Sequence, residues 1–309
     1  MSDCQDCQDY DYNTSYNDSQ FFKKPIDIKY LNTIRMLYIT GYIIICTLGL
    51  VLNLLVIIAG ICNNHISNTA KCILALAVTH LICSAFLPLQ ILYSWFHFNW
   101  HYGTALCKLS SYVFYASLFS TAGILTVWKL TYKCQGWHCN KFKHSSVVLL
   151  MILSTWTFAA VLGLPSLFSR ELRYTVLGEQ CIDDYDFDDK KTTQYGKTMI
   201  TIVVCYRLLL GILIPVFLIG ISRSCQRYRI MCLINVAYIV CWTPLLITAF
   251  LQVVLKEFDA SSYGLPVTTV LAAAHCCVNP VIYILVNPDI KMLWMKQEQD
   301  FDESTNGYI

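Results

Sequence analysis

Acidic side chains and tyrosines alternate near the start of the chain, in a pattern suited to holding a positively charged protein. The residues with this character are Tyr10, Asp11, Tyr12 and Tyr16. A second patch of similar composition includes Asp183, Asp184, Tyr185 and Asp186. Such segments steer a basic partner electrostatically, and their acidic flanks also suit tyrosine sulfation. A solvated, disordered segment is the alternative interpretation of the same composition.

Motifs of enzymes and cofactor sites do not occur in the sequence. It contains no phosphate-binding loop, no HExxH string and no nucleophile elbow. One connector gathers side chains that could ligate a metal, but their irregular spacing fits no zinc template; they are Cys134, His138, Cys139 and His144. The net charge is only +2, without a basic stripe that would follow nucleic acid. We therefore expect neither an enzyme nor a cofactor, metal or nucleic-acid site.

Composition points to a membrane protein, because only 14% of the 309 residues are charged and 56% are hydrophobic. Soluble domains carry about 25% charged residues. Apolar runs approach or exceed the roughly 20 residues that cross a bilayer, and each must be helical because lipid cannot hydrogen-bond an open backbone. The runs cover 36–61, 72–95, 105–128, 146–169, 199–221, 230–255 and 265–286. We predict an all-α, seven-transmembrane helix bundle over 36–286.

The remaining segments flank this bundle. Residues 1–35 form the acidic N-terminal tail, and residues 287–309 are predicted to form a short amphipathic helix and a cytoplasmic tail. Lysines and arginines concentrate in the connectors after the first, third and fifth runs and in the final segment. The positive-inside rule therefore places these parts in the cytoplasm and the tail outside a plasma membrane. No secretory signal precedes the first run, which we expect to serve as the insertion signal.

Several features of the exported side follow from this topology. Asn13 and Asn17 each begin a glycosylation acceptor sequence. Cys107 begins the third run and Cys181 lies in the next outer loop, so both face an oxidising compartment and are predicted to form a disulfide. Cys4 and Cys7 either pair with each other or stay free.

A small-solute transporter is a second class of function for a bundle with so few charges. Transporters usually place paired ionisable residues or broken helices near the midplane, whereas the predicted interior here offers His80 and Arg207 and little else. This scarcity disfavours the transporter, which we keep as the alternative. Arg207 in a membrane helix is a candidate functional residue, although its side chain could also extend to the nearby interface.

Several strings occur in an order that resembles the chemokine receptors of the rhodopsin-like family of G-protein-coupled receptors. Residues 100–107 resemble W-x-F-G-x-x-x-C, residues 241–244 resemble C-W-x-P, and residues 275–283 look like H-C-C-x-N-P-x-x-Y. The resemblance covers about residues 36–295. It implies a receptor with an outer chemokine site, an inner G-protein site and an activation switch. The switch residues would include Trp242, Pro244, Asn279, Pro280 and Tyr283.

Two departures from the family affect the inner and central parts of the bundle. The expected Asp-Arg-Tyr triplet is replaced by Thr131, Tyr132 and Lys133, and lysine lacks the planar fork of arginine. His80 stands where the family keeps an aspartate that holds sodium in most relatives, and imidazole is a poor sodium ligand. The histidine is either a pH-responsive element or a satisfied core residue.

Two further departures affect the fifth and seventh spans. Arg223 replaces a tyrosine near the inner end of the fifth span, which suggests compensation for the lost arginine. Thr269 replaces the glutamate that meets the ligand's amino terminus in chemokine receptors. With Arg207 nearby, we expect this pocket to favour acidic or neutral ligand termini.

Three hypotheses follow for function. The first is a receptor that binds a chemokine or similar basic protein and transmits the signal to a heterotrimeric G protein with altered coupling. The second is a decoy that binds ligand without signalling, and the third is the transporter. The small size, altered triplet and retained outer motifs also resemble virus-encoded mimics of chemokine receptors, which would reside in the host cell membrane.

Overall fold

The computed structural model describes residues 28–62, 67–135, 145–175, 178–184, 193–220, 229–254 and 264–286. Ten α-helices occur in this part of the chain. They are α1 (Ile28–Ile61), α2 (Asn68–Trp95), α3 (Gly103–Gln135), α4 (Ser145–Gly163), α5 (Pro165–Ser169), α6 (Gln194–Leu208), α7 (Ile214–Gly220), α8 (Arg229–Val254), α9 (Gly264–Ala273) and α10 (His275–Val286). A π-helical segment, Leu209–Leu213, joins α6 to α7.

These helices provide seven spans that are long and apolar enough to cross a membrane, which confirms the predicted fold class. The spans, numbered one to seven, are Asn32–Ile61, Asn68–Trp95, Gly103–Thr131, Ser146–Ser169, Gln194–Leu218, Ile230–Val254 and Leu265–Leu285. Span four is made of α4 and α5, span five of α6, the π-helical segment and α7, and span seven of α9 and α10.

Several helices extend beyond the predicted apolar runs. The first helix begins at Ile28 rather than at residue 36, and span five begins at Gln194 rather than at residue 199. The apolar run measures only the hydrocarbon thickness of about 30 Å. A helix continues past this limit wherever its backbone hydrogen bonds can still form. The predicted amphipathic helix over 287–309 lies outside the described residues.

Glycines allow close approach between neighbouring spans. A Cβ atom on Gly49 of span one would lie 2.3 Å from Ser84 Oγ of span two. A Cβ atom on Gly123 of span three would lie 2.3 Å from Thr155 Cγ2 of span four. Because lipid tails are as apolar as the helices, such close packing contributes much of the association between spans.

The proline in span seven leaves a carbonyl that a neighbouring span satisfies. Pro280 has no N–H, so it cannot donate to the carbonyl of Cys276, four residues earlier. Asn53 of span one donates from Nδ2 to this oxygen over 2.7 Å. Because lipid offers no hydrogen bonds, this contact satisfies the kinked helix and joins spans one and seven.

The proline in span five has an equivalent arrangement. Pro215 cannot donate to the carbonyl of Gly211, which lies inside the π-helical segment. The hydroxyl of Tyr238 in span six donates to this oxygen over 2.5 Å. The contact therefore joins spans five and six at the irregular part of span five.

A two-stranded antiparallel hairpin lies between spans four and five. Its strands are β1 (Arg170–Thr175) and β2 (Gly178–Asp183), with Arg170 opposite Asp183 and Leu172 opposite Cys181. The backbone N–H of Trp100 donates to Glu179 O over 2.7 Å, which fixes the hairpin to the segment after span two. We call this end of the bundle the hairpin end.

Candidate functional site

A disulfide fastens the hairpin to span three. Cys107 and Cys181 are bonded, with their Cα atoms 5.7 Å apart. This pair confirms the disulfide expected from the sequence. Next to it, Lys108 Nζ lies 2.6 Å from Glu171 Oε1, so an ion pair joins span three to the first strand. The disulfide and this ion pair therefore fix the hairpin to span three.

Asp183, the last residue of the hairpin, lies between two arginines. Its Oδ1 is 3.1 Å from Arg170 Nε, and its Oδ2 is 3.7 Å from Arg207 Nη1 in span five. Ser169 Oγ also donates to Oδ1 over 3.2 Å. Two residues predicted separately as ligand contacts, Asp183 and Arg207, thus form one cluster.

Arg207 is only 3% exposed, so its side chain does not extend to the lipid interface. One of its Nη atoms donates to Ser166 Oγ over 3.0 Å. Its guanidinium carbon lies 3.5 Å from the centre of the Tyr115 ring in span three, as in a cation–π contact. This arginine therefore joins spans three, four and five to the hairpin.

Electrostatics in this cluster favour an ionised Asp183. Burial by itself would raise the pKa of Asp183, but Arg170 and Arg207 lower it, and the net pKa is below the ordinary value. Two guanidinium groups against one carboxylate leave the three side chains with one excess positive charge.

The other predicted contacts at the hairpin end are placed only in part. The Thr269 hydroxyl donates to Leu265 O within its own helix over 2.6 Å. Asp184 pairs with Arg173, whose Nε lies 2.6 Å from Asp184 Oδ2. The remaining candidates lie outside the described residues; they are Tyr10, Asp11, Tyr12, Asn13, Tyr16, Asn17, Tyr185 and Asp186.

The proposed switch residues of spans six and seven lie inside the bundle, and one of them contacts rings of spans three and seven. Trp242 of span six is fully buried, and its ring centroid lies 4.8 Å from both Phe114 and His275. Asn279 and Tyr283 are also buried along span seven. Pro244 lies inside α8 and Pro280 inside α10. The geometry thus connects spans three, six and seven through aromatic and imidazole rings.

The opposite end of span three carries the altered triplet. The Thr131 hydroxyl is buried and donates to Trp128 O over 2.7 Å, within its own helix. The side chains of Tyr132 and Lys133, and all of Arg223, lie outside the described part of the structure. Thr131 is the one residue of this triplet whose side chain is described. It offers a hydroxyl, bonded within its own helix, where the family triplet has a carboxylate.

Sequence reasoning missed the partner of His80. His80 and His275 approach with their ring centroids 4.9 Å apart, and hydroxyls of span three bind both rings. The sequence indicated only that His275, four residues before Asn279, shares a helix face with it; it did not indicate contact with His80. Within the described residues, no group of three or more His, Cys, Asp or Glu side chains could hold a metal.

Comparison with known proteins gives one family and several relatives. Residues 52–283 match the family described as 7 transmembrane receptor (rhodopsin family). Chemerin-like receptor 1 from Homo sapiens is 26% identical, with 92% of this chain and 86% of that protein aligned. The same receptor from Bos taurus is 27% identical, covering 91% and 87% of the two chains. Chemerin-like receptor 2 from Homo sapiens is 25% identical over 69% of this chain and 65% of its own.

Proposed function

Since the chain belongs to the rhodopsin family of seven-transmembrane receptors, we propose that it binds a chemokine or a similar basic protein at the hairpin end. The family makes it a multi-pass plasma-membrane receptor rather than an enzyme. The hairpin end would face outside, in agreement with the disulfide and the positive-inside rule. The family also favours a receptor over the solute transporter.

The observation that carries this proposal is the disulfide-anchored hairpin. It ends at Asp183, and the carboxylates of Asp183 and Asp184 pair with arginines of the hairpin and span five. The acidic segment continues in the sequence with Asp186, Asp188 and Asp189. The base of that segment is therefore held at the mouth of the bundle, beside span three. Together with the acidic N-terminal tail, it gives the outer face two negative segments that can hold a basic protein. The two acceptor asparagines, Asn13 and Asn17, would carry glycans on the same side.

The side chains below these segments indicate which charge of ligand terminus the pocket accepts. The cluster of Arg170, Asp183 and Arg207 has an excess positive charge, and the Thr269 hydroxyl is turned to its own backbone. An acidic or neutral terminus therefore fits this pocket better than a free amine. Relatives of the chain are named as chemerin-like receptors. We accordingly include chemerin with the chemokines as a candidate ligand.

Coupling to a heterotrimeric G protein would be altered because Thr131, Tyr132 and Lys133 replace the family triplet. Lys133 and Arg223 would have to supply the cationic surface. The second candidate function is a decoy that binds ligand without signalling. It is favoured by Thr131, which supplies no carboxylate at that position and whose hydroxyl is bonded to Trp128 O within its own helix. A virus-encoded mimic that acts in a host membrane would show the same combination.

A panel of labelled chemokines and chemerin on cells expressing the chain tests this proposal. G-protein activation is measured in the same wells, and surface expression is quantified with an epitope tag. Saturable binding with reduced or no G-protein output is the expected result, and the amount of output separates the altered receptor from the decoy. A well-expressed surface protein that binds no member of the panel would contradict the proposed ligand class.

A further inference from the structure

Two histidines meet at the centre of the bundle, outside the proposed ligand pocket. His80 of span two is 0% exposed and His275 of span seven is 1% exposed. Their rings are nearly perpendicular, at 89°, with centroids 4.9 Å apart. His275 also lies against Trp242 of span six. The pair therefore lies where three spans of the bundle meet.

Span three supplies a hydroxyl to each ring. His80 Nε2 lies 3.2 Å from Thr121 Oγ1, and His275 Nε2 lies 2.9 Å from Ser117 Oγ. His275 Nδ1 lies 2.5 Å from the carbonyl oxygen of Ala272, which can only accept, so Nδ1 carries the proton. In a neutral ring, Nε2 is then the acceptor for the Ser117 hydroxyl.

The bond to Ala272 stabilises an interruption in span seven. Helix α9 ends at Ala273 and α10 begins at His275, so the regular pattern is broken between them. The His275 side chain satisfies a carbonyl beside this interruption. The ring is thereby bonded to the backbone of the same span that carries Asn279 and Pro280.

A sodium ion is the group that the family resemblance implies near His80, and the side chains there do not fit it. No aspartate or glutamate occurs in any of the seven spans. Hard cations prefer oxygen ligands with negative charge, whereas imidazole nitrogen suits softer metals. The groups that contact the pair are hydroxyls, a thiol, an indole and a backbone carbonyl, so a sodium ion would have no anionic ligand within the spans.

We propose that the His80–His275 pair is a sodium-independent, proton-sensitive joint between spans two, three and seven. The neutral pair is fully compatible with the hydroxyls of Ser117 and Thr121. An added proton places a positive charge in an interior that contains no carboxylate, and such a charge is costly unless water or a counter-ion reaches it. Protonation should therefore favour a rearranged bundle in which these spans separate.

The groups packed around the pair support assigning a pH response of this region to the two histidine rings. Among the described residues, the titratable group that contacts the pair is the thiol of Cys276, whose Sγ lies 3.7 Å from His275 Nε2, and Cys83 of span two interacts with that thiol in turn. Spans three and six present neutral groups to the rings, namely the two hydroxyls and Trp242. Asn53 of span one bonds to the nearby Cys276 carbonyl. His80 Nδ1 and Ser84 Oγ are buried without a hydrogen-bond partner in the described part of the chain. Water that enters here would meet polar atoms able to bind it.

Thermal unfolding of the purified full chain tests the proposal without any ligand, so its outcome is separate from that of the proposed function. Unfolding is followed by intrinsic tryptophan fluorescence at neutral pH in sodium, potassium or N-methylglucamine chloride at about 0.15 M ionic strength. We expect the same Tm in the three salts. We expect His80→Asp, which adds the missing carboxylate, to acquire a higher Tm in sodium. A sodium-dependent rise in Tm of the unsubstituted chain would overturn the proposal.

The second measurement compares Tm within each protein across about pH 5–8. Acidification should lower the Tm of the unsubstituted chain by about 2–4 °C. This shift should shrink in His80→Asn and in His275→Asn, with His275→Gln as a second variant if the asparagine does not support folding. His101→Asn, at an exposed histidine of the hairpin end, is the matched control and should keep the shift. An undiminished shift in the variants of both buried histidines would also overturn the proposal.

Discussion

Asp183 is the residue on which the outer cluster depends, because one carboxylate serves two arginines. Its side chain is 19% exposed, and that of Arg207 is 4% exposed. Removing one partner of a buried ion pair leaves an uncompensated charge, which costs more than the pair contributes. The same carboxylate ends the hairpin, so its loss would affect both the hairpin and span five.

We predict that Asp183→Asn lowers the free energy of unfolding by about 3 kcal/mol, because two arginines lose their counter-ion. Thermal unfolding of the purified protein measures the loss. Asp184→Asn is the matched control. Asp184 is about as buried as Asp183, but its partner Arg173 has a side chain that is 39% exposed, against 4% for Arg207. Removing the Asp184 carboxylate therefore leaves a cation that water still reaches, and this loss should cost less. Equal losses in the two variants would contradict the structural role assigned to Asp183.

The hairpin should also lose stability in acid through Asp183. Its folded pKa is below the unfolded value of about 3.9, so its contribution is fully present above that value and disappears as the pH falls through the folded pKa. Hydrogen exchange of the β1 and β2 amides at stepwise lower pH should show protection falling in this range. Asp183→Asn should lack that step. A step of the same size in the variant would assign it to another group.

At the scale of elements, three prolines each leave a backbone carbonyl that a neighbouring span satisfies. Each frees a carbonyl four residues earlier, and a side chain from a neighbouring span donates to it. In span two the acceptor is Ser84 O, which Cys46 Sγ approaches at 3.6 Å. The equivalent donors in spans seven and five are Asn53 and Tyr238. The carbonyls freed by these three prolines are therefore bonded to neighbouring spans rather than left unpaired.

This arrangement predicts coupling between Tyr238 and Pro215. Tyr238→Phe should lower stability by about 1 kcal/mol, because Gly211 O loses a donor. In a Pro215→Ala background the loss should shrink, since residue 215 then offers its own N–H to the same carbonyl. A double-mutant cycle measured by thermal unfolding gives the coupling. Strictly additive effects would show that the hydroxyl does not compensate for the proline.

The elements also show which structural features the sequence could predict. The seven spans follow from apolar runs, because run length and hydrocarbon thickness are directly related. Helix ends were less predictable, as at Ile28, because polar residues can continue a helix outside the hydrocarbon. The strands over 170–183 were expected only as an outer loop. They lack the alternation of a half-buried strand, and the disulfide and Asp183 bonds hold them in place.

Two contacts in the candidate site were beyond sequence reasoning. His80 and His275 lie on different spans, and a single sequence carries no signal that they touch. Asp183 and Arg207 were both identified as candidates, but their pairing depends on the hairpin folding back over span five. The disulfide was predictable because topology left few cysteines in an oxidising position.

At the scale of the whole molecule, the receptor combines a firmly fixed hairpin end with an altered opposite end. The hairpin end carries a disulfide, ion pairs and a buried arginine cluster. At the opposite end, Thr131 bonds only to its own helix among the described contacts. This contrast agrees with the proposal that ligand binds at the hairpin end and that transmission at the opposite end is altered.

Restoring the family triplet should change transmission but not ligand binding. The variant with Thr131→Asp, Tyr132→Arg and Lys133→Tyr is expected to raise G-protein output several-fold, because arginine supplies a planar, permanently charged donor that lysine lacks. Ligand affinity should stay within about twofold, a difference of less than about 0.5 kcal/mol. Nucleotide exchange on added G protein measures the output. Unchanged exchange in a well-folded variant would place the cause of altered coupling elsewhere, with Arg223 as the next residue to neutralise.

The central claim, capture of a basic protein by the acidic outer segments, is tested most directly by equilibrium binding of the best ligand from the panel to a tail variant. The variant carries Asp11→Asn with Tyr12→Phe, and the control carries Asp300→Asn with Asp302→Asn at the other end of the chain. We predict at least about tenfold weaker binding, or about 1.4 kcal/mol, for the tail variant only, with the loss shrinking at high salt. Equal affinity of both variants at low salt would contradict the claim.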